Sequence, residues 1–174
     1  MRISLRIGYT LVEILIAILL IAIIMGISTP VISKMAQNLP VEAKLTSLSQ
    51  KLFFLLSDAR REGFIGNSVV CIKYENKTFY AFIDNDFNGI PDDGKYISSF
   101  EFKNKDYEGV VFKFNSMEVS KIQDLYTIDG LFVKYLSDSK LFDITYSNCT
   151  FEFSYGDKSV QVLIQDSYPK LIEK

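Results

Sequence analysis

The longest apolar run lies near the start of the chain: Ile14 to Ile27 reads ILIAILLIAIIMGI, fourteen positions without a polar side chain. Taken back to Tyr9 and on to Thr29 it covers 21 residues, interrupted only by Thr10, Glu13 and Ser28. At about 1.5 Å per residue such a helix is roughly 31 Å long, the hydrocarbon thickness of a bilayer, so 9–30 is predicted to span a membrane. Arg2 and Arg6 precede the run with no acid among them, which puts the N-terminus in the cytoplasm and the rest of the chain on the far side. Pro30 removes a helical hydrogen bond and is predicted to kink the helix; Pro40 marks a second weak point. Beyond it Val41, Leu45, Leu48, Leu52, Leu55 and Ala59 recur at steps of four and three, with Glu42, Lys44, Ser47, Lys51, Asp58 and Arg60 between them. That spacing gives a helix with one dry face, docked on its own globular head, and Gly63 and Gly66 bracket its end.

From Asn67 onward the pattern changes to short runs rich in β-branched and aromatic residues, punctuated by turn formers. Strands are predicted over Ser68–Glu75, Thr78–Asp84, Tyr96–Lys103, Val110–Asn115, Leu131–Leu136, Leu141–Tyr146, Thr150–Tyr155 and Ser159–Gln165, with hairpin turns at Asn76-Lys77 and Gly156-Asp157. The expected fold class is α+β: a long N-terminal helix, half membrane-spanning and half amphipathic, packed on an antiparallel β-sheet head. Four segments result: a basic leader 1–8, a membrane segment 9–30, an amphipathic continuation 31–62 and a β-rich extracytoplasmic head 63–174.

Composition narrows the function. Hydrophobic residues make up 48 % of the 174 positions and charged residues 23 %, and histidine is absent. The missing histidine removes Ser-His-Asp and Cys-His catalysis and every His-ligated metal site, and no other nucleophile-base set stands out, so no enzymatic activity is expected. The mean hydropathy of +0.15 owes most of its excess to the N-terminal run. A net charge of −2 and a pI near 5.2 argue against a broad nucleic-acid surface.

Glu13 sets the membrane segment apart from a plain anchor. A carboxylate inside a spanning helix costs on the order of 2–3 kcal/mol near the bilayer centre, less near its edge, and such residues usually have a partner. Gly8-Tyr9-Thr10-Leu11-Val12-Glu13, behind an arginine-bearing leader and ahead of a long apolar run, resembles the processing site of type IV pilins and type II secretion pseudopilins. The resemblance implies that a prepilin peptidase cuts between Gly8 and Tyr9 and methylates the new Tyr9 amine. It also implies that Glu13 registers an incoming subunit in a helical fibre of other pilins or pseudopilins. An inner-membrane assembly platform, and membrane lipid before assembly, complete the partners it implies. The physical chemistry agrees: cleavage creates a positive amine at Tyr9, and Glu13 lies one helical turn away or opposite the amine of a neighbouring subunit. Losing the leader leaves 17 basic against 21 acidic residues, a side-chain net of −4.

A second stretch narrows the resemblance. Ala59-Arg60-Arg61-Glu62, then Val69-Val70-Cys71, then Ala81-Phe82-Ile83 running into Asp84-Asn85-Asp86-Phe87-Asn88-Gly89-Ile90-Pro91-Asp92-Asp93-Gly94, is similar to the GspH/FimT pseudopilins and minor pilins. Members often end in a basic Gly-Arg tail, where this chain has Asp166-Ser167-Tyr168-Pro169-Lys170. The implied function is a minor pilin or pseudopilin subunit of a type IV pilus or a type II secretion system. The alternative, a DNA-binding minor pilin of a competence pilus, meets the acidity of the chain and the missing basic tail.

The Asp-rich loop has two readings. Asp84, Asp86, Asn88, Ile90 and Asp92 fall at positions 1, 3, 5, 7 and 9 of an EF-hand-like register with Gly89 at position 6, a set of oxygen donors suited to Ca²⁺. Position 12 is Lys95, where the bidentate glutamate belongs. The other reading is a tight polar turn in which Asp and Asn bond their own backbone and no cofactor is bound. Cys71 and Cys149 also stay open between a disulfide, permitted outside the cytoplasm, and two buried thiols.

Overall fold

The computed structural model describes residues 13–20, 40–136, 141–143 and 148–173. The chain divides into two units, Met1–Leu39 and Pro40–Lys174. Of the first, residues 13–20 form a helix, α1, on which Ile14, Leu15, Ile16, Ile18, Leu19 and Leu20 each expose more than half of their surface. Among the described residues no helix is long and apolar enough to cross a membrane. The span expected at 9–30 falls for most of its length outside them, as do Gly8, Tyr9 and Pro30.

The second unit begins with α2, Val41–Ile65. Pro40 stands just before it with ψ 148°, so the helix starts there, and the Pro40 carbonyl accepts from the Lys44 amide at 3.2 Å. Of the predicted stripe Leu45, Leu48, Leu52, Leu55 and Ala59 are 0–1 % exposed and Val41 is partly buried, and Leu56, outside that stripe, is buried with them. Burying one such leucine contributes about 1.5–3 kcal/mol, which is why α2 belongs to the head and the compact unit starts at Pro40 rather than at Gly63. Gly63 is inside the last turns, and Gly66 closes the helix by donating its amide to the Glu62 carbonyl at 2.8 Å.

Among the described residues eleven strands follow: β1 Val70–Glu75, β2 Thr78–Ile83, β3 Ser98–Glu101, β4 Val111–Phe114, β5 Met117–Glu118, β6 Lys121–Ile128, β7 Leu131–Leu136, β8 Leu141–Asp143, β9 Cys149–Tyr155, β10 Lys158–Gln165 and β11 Tyr168–Glu173. They form two antiparallel sheets, ordered β3-β2-β1-β6-β7-β8 and β11-β10-β9-β4-β5. The sequence led us to expect neither the division into two sheets nor β5, β6 and β11. Tight turns join the hairpins: Asn76-Lys77, Asn115-Ser116, Asp129-Gly130 and Asp166-Ser167 all have positive φ at both positions, the conformation that matches strand twist.

One core lies between α2 and both sheets, where Tyr74 and Phe79 of the first sheet meet Phe112 and Phe153 of the second at ring-centroid distances of 4.5 to 6.1 Å. A second, smaller cluster covers the opposite face of the six-stranded sheet: Cys71, Phe82, Tyr126 and Val133, with Tyr80, Phe87 and Tyr135 against them. Alternation explains both, since Val70, Ile72 and Tyr74 point to the main core while Cys71 points away.

Candidate functional site

The cysteines settle first. Cys71 is buried in the outer cluster and Cys149 in the main core, and both are free. The disulfide admitted from sequence does not form, because strand alternation aims the two thiols at different clusters. Burial pushes each up to about 12, which leaves them protonated and inert at neutral pH.

The loop between β2 and β3 folds back over the outer cluster. Its anchor is Asp84, fully buried, immediately after β2. The Asp84 carboxylate accepts from the Tyr126 hydroxyl at 3.0 Å, the Gly89 amide at 2.9 Å and the Asn88 amide at 3.0 Å. Phe87, at φ 59°, turns its ring inward against Tyr135 at 4.9 Å and Tyr126 at 5.5 Å. Tyr96 closes the other side against Tyr80 at 5.1 Å and Phe82 at 5.8 Å. Gly89 takes φ 75° with open space where a β-carbon would stand, so backbone conformation alone makes glycine fit there.

The remaining polar groups are also used within the loop. Asp92 accepts from the amide and the side chain of Asn85 at 3.0 and 2.8 Å, while Asn85 Oδ1 accepts from the Val69 amide at 3.0 Å. Asp86 takes the Asn88 side-chain amide at 2.8 Å, and Asn88 Oδ1 takes the Ile90 amide at 2.7 Å. Asp93 accepts from the Lys95 amide at 3.0 Å.

Of the five predicted metal-ligating positions, the fold brings three carboxylates together: oxygens of Asp84, Asp86 and Asp92 lie within 4.8 Å of one another. Such a set of hard oxygens fits Ca²⁺ or Mg²⁺ in kind. In number it falls short of a calcium cage, since Asn88 Oδ1 is taken by Ile90 and Lys95 stands where the chelating glutamate belongs. Burial is the largest influence on Asp84 and raises its pKa; nearby Asp86 adds to that, while the bonds from Gly89, Tyr126 and Asn88 oppose it. Burial also pushes the Tyr126 phenol far up, with Cys71 and Asp84 adding, so it remains a donor. Sequence reasoning missed Tyr126 and Phe87. Tyr126 lies on the unforeseen β6, and Phe87 is an aromatic inside a polar loop, whose signal was its lone ring among Asp and Asn.

Glu13, the other predicted site residue within the described set, lies at the start of α1 and is exposed.

The prokaryotic N-terminal methylation motif matches residues 4–29, the stretch that holds Gly8, Tyr9 and Glu13. No curated protein matches the chain in sequence. Among solved structures the fold is similar to the type IV minor pilin FimU of Pseudomonas aeruginosa PAO1 in two crystal forms. One has a TM-score of 0.53 at 13 % identity over 76 % of this chain and 89 % of FimU; the other, 0.51 at 14 % over 74 % and 92 %. The minor pseudopilin EpsH of the Vibrio cholerae type 2 secretion system aligns at a TM-score of 0.45 and 11 % identity, over 74 % and 96 %. The chain thus carries a prokaryotic N-terminal methylation motif at 4–29 and, from Pro40 on, a helix docked on antiparallel sheets with a fold similar to that of the minor pilin FimU.

Proposed function

We propose that the chain is a minor subunit of a type IV pilus or a type II secretion pseudopilus, of the GspH/FimT kind, working by assembly and not by catalysis. The observation that carries this reading is the methylation motif over 4–29 joined to a head with the fold of a minor pilin. Prepilin peptidase removes residues 1–8 and methylates Tyr9. The segment 9–30 holds the subunit in the inner membrane, with the head outside the cytoplasm, until the assembly platform passes it to the fibre. There Glu13 faces the Tyr9 amine of a neighbouring subunit, an attraction that low dielectric strengthens. The Asp84–Asp92 loop is structural on this reading: it closes the outer face of the six-stranded sheet and needs no cofactor. N-terminal mass analysis tests the proposal. A mature chain that starts at a methylated Tyr9 supports it; one that keeps Met1, or is cut near Thr29, overturns it.

One observation favours the second reading, capture of DNA. The Arg60 guanidinium lies 4.0 Å from the centre of the Tyr168 ring, and Lys170 projects from the same side of β11 two residues on. Arg61, by contrast, is held by Asp58 at 3.3 Å. Salt-sensitive retardation of single-stranded DNA by micromolar protein, lost in Arg60→Ala, would establish this reading over the first.

A further inference from the structure

Asn88 is the chain's only asparagine followed by glycine. At such a pair the main-chain nitrogen reaches the preceding side chain most easily, because glycine has no β-carbon to hinder the approach. Asn88 is exposed and Gly89 half-buried in the loop between β2 and β3, so water reaches both.

The attack needs the Gly89 nitrogen without its proton, and the fold holds that proton in place. The Gly89 amide donates to Asp84 Oδ2 at 2.9 Å and the Asn88 amide to Asp84 Oδ1 at 3.0 Å, so two successive amides clamp the two oxygens of one buried carboxylate. An amide bound to a carboxylate gives up its proton less readily, since the nitrogen anion left behind would face a second negative charge. The attacked side chain is fixed as well. Asn88 Oδ1 accepts from the Ile90 amide at 2.7 Å, and Asn88 Nδ2 donates to Asp86 at 2.8 Å.

We propose that Asn88–Gly89 is a site of spontaneous deamidation which Asp84 holds in check while the loop is closed, and that the isoaspartyl product keeps the loop from closing again. When the loop opens, the Gly89 nitrogen loses its proton and bonds to Asn88 Cγ. The Cγ–Nδ2 bond breaks, and Nδ2 takes up a proton and leaves as ammonia. Water then opens the cyclic imide at either carbonyl, giving aspartate or isoaspartate; nothing is oxidised or reduced, and water is the only other reactant. Aspartate keeps the main chain as it was. Isoaspartate routes it through Cβ and Cγ, which puts one more carbon between the nitrogens of residues 88 and 89. The clamp on Asp84 depends on the ordinary spacing of those nitrogens, and a buried carboxylate short of a donor is costly. With the clamp lost, Phe87 leaves the rings of Tyr126 and Tyr135, and the cluster that holds Cys71 is uncovered.

The test ages the full chain in detergent micelles, in mildly alkaline buffer, beside the blocked peptide acetyl-Asp-Phe-Asn-Gly-Ile-Pro-amide, and follows deamidation at Asn88 by mass spectrometry. The folded chain should react about 10- to 100-fold more slowly than the peptide, the factor that a hydrogen bond to a charged acceptor supplies. Asp84→Ala should lose most of that protection, while Asn115, in the turn between β4 and β5, keeps its parent rate as the sign that the head is still folded. If Asn115 quickens too, Asp84→Asn, which keeps the volume and one acceptor oxygen, takes its place and should give a rate between those of the parent chain and the peptide. After ageing, iodoacetamide should label Cys71 in molecules with isoaspartate at 88 and spare those that keep Asn88. Equal rates in the folded chain and the peptide, a rate at Asn88 that neither Asp84 variant raises, or Cys71 equally shielded in both forms overturns the proposal.

Discussion

Gly63 of α2 lies against Thr127 of β6 so closely that a β-carbon on Gly63 would overlap the Thr127 hydroxyl and stand 3.2 Å from its carbonyl oxygen. The helix descends onto the sheet at this point because one residue has no side chain. Gly63→Ala should therefore cost about 1–3 kcal/mol of stability, as overpacking does, and lower the melting temperature by several degrees. The Thr127 hydroxyl is buried and has no partner among the described residues, so Thr127→Val, which keeps the shape and removes the polar atom, should be neutral or stabilising. Thr127→Ala should restore part of the loss in the Gly63→Ala background, and urea melts of the four proteins read out that coupling. Strict additivity would show that the close approach is not what fixes glycine at 63.

Of this contact the helix side was legible in the sequence and the strand side was not. The α2 stripe follows from spacing alone, and so do the β1–β2 and β9–β10 hairpins, whose turn residues stand between alternating runs. Strand β6 was hidden by a bulge. Ile72 pairs Leu125 and Tyr74 pairs Ile122, so β6 spends three steps where β1 spends two. Ile122 and Leu125 then face the same core at an odd spacing, and the period-two signal fails. With β6 unseen, neither Thr127 nor Tyr126 had a place in the fold. Strand β11 was hidden by Pro169, a residue that fits an edge strand, where a missing amide costs no ladder bond. The convergence of Asp84, Asp86 and Asp92 was readable because it is local; the choice of cluster for each cysteine was not, because it depends on long-range register.

Asp84 should give the head an acid-favoured stability. Its folded pKa is raised above the ordinary aspartate value of 3.8, so folding favours the protonated form. That contribution is complete below the unfolded value and is lost as pH rises through the folded one. Stability from urea melts should accordingly fall as pH rises past the ordinary aspartate value of 3.8, and Asp84→Asn should flatten that slope even if it costs stability at every pH. Tyr126→Phe removes a donor that lowers the Asp84 pKa, so it should move the same transition to higher pH, and because the same Asp84 oxygen keeps the Gly89 amide it should cost only about 0.5–1.5 kcal/mol. A slope unchanged by Asp84→Asn would assign it to another group.

Calcium should not be needed by the loop. Asp84, Asp86 and Asp92 already accept bonds from the loop's amides or from Tyr126, and binding an ion would add ligands without a bidentate carboxylate. Millimolar Ca²⁺ should leave the melting temperature where a chelator leaves it, and calorimetry should register no saturable heat. A rise of several degrees on adding the ion, abolished by Asp92→Asn, would instead make the three carboxylates a metal centre.

Both thiols should be hidden in the folded protein. Cys71 is 0 % exposed and Cys149 1 %, so iodoacetamide should modify neither under native conditions. In denaturant without any reductant, mass spectrometry should find two modified cysteines per chain. Cysteines that react only after reduction would restore the disulfide and require a rearranged β9.

Glu13 carries the assembly prediction. It stands at the N-terminal end of the described helical segment 13–20, four residues after the proposed new N-terminus at Tyr9, with exposed apolar side chains following it. Removing its charge makes the segment more apolar, so Glu13→Ala should insert in the membrane at least as well as the parent chain. On the proposed function the carboxylate is needed when another subunit brings an amine into low dielectric, and the variant should therefore be processed to Tyr9 yet be lost from sheared fibres. Glu13→Gln, which keeps size and polarity and removes the charge, separates the two explanations: if attraction to the amine is the cause, it fails like alanine; if packing is the cause, it assembles. Incorporation of both variants at the parent level would remove Glu13 from the assembly mechanism.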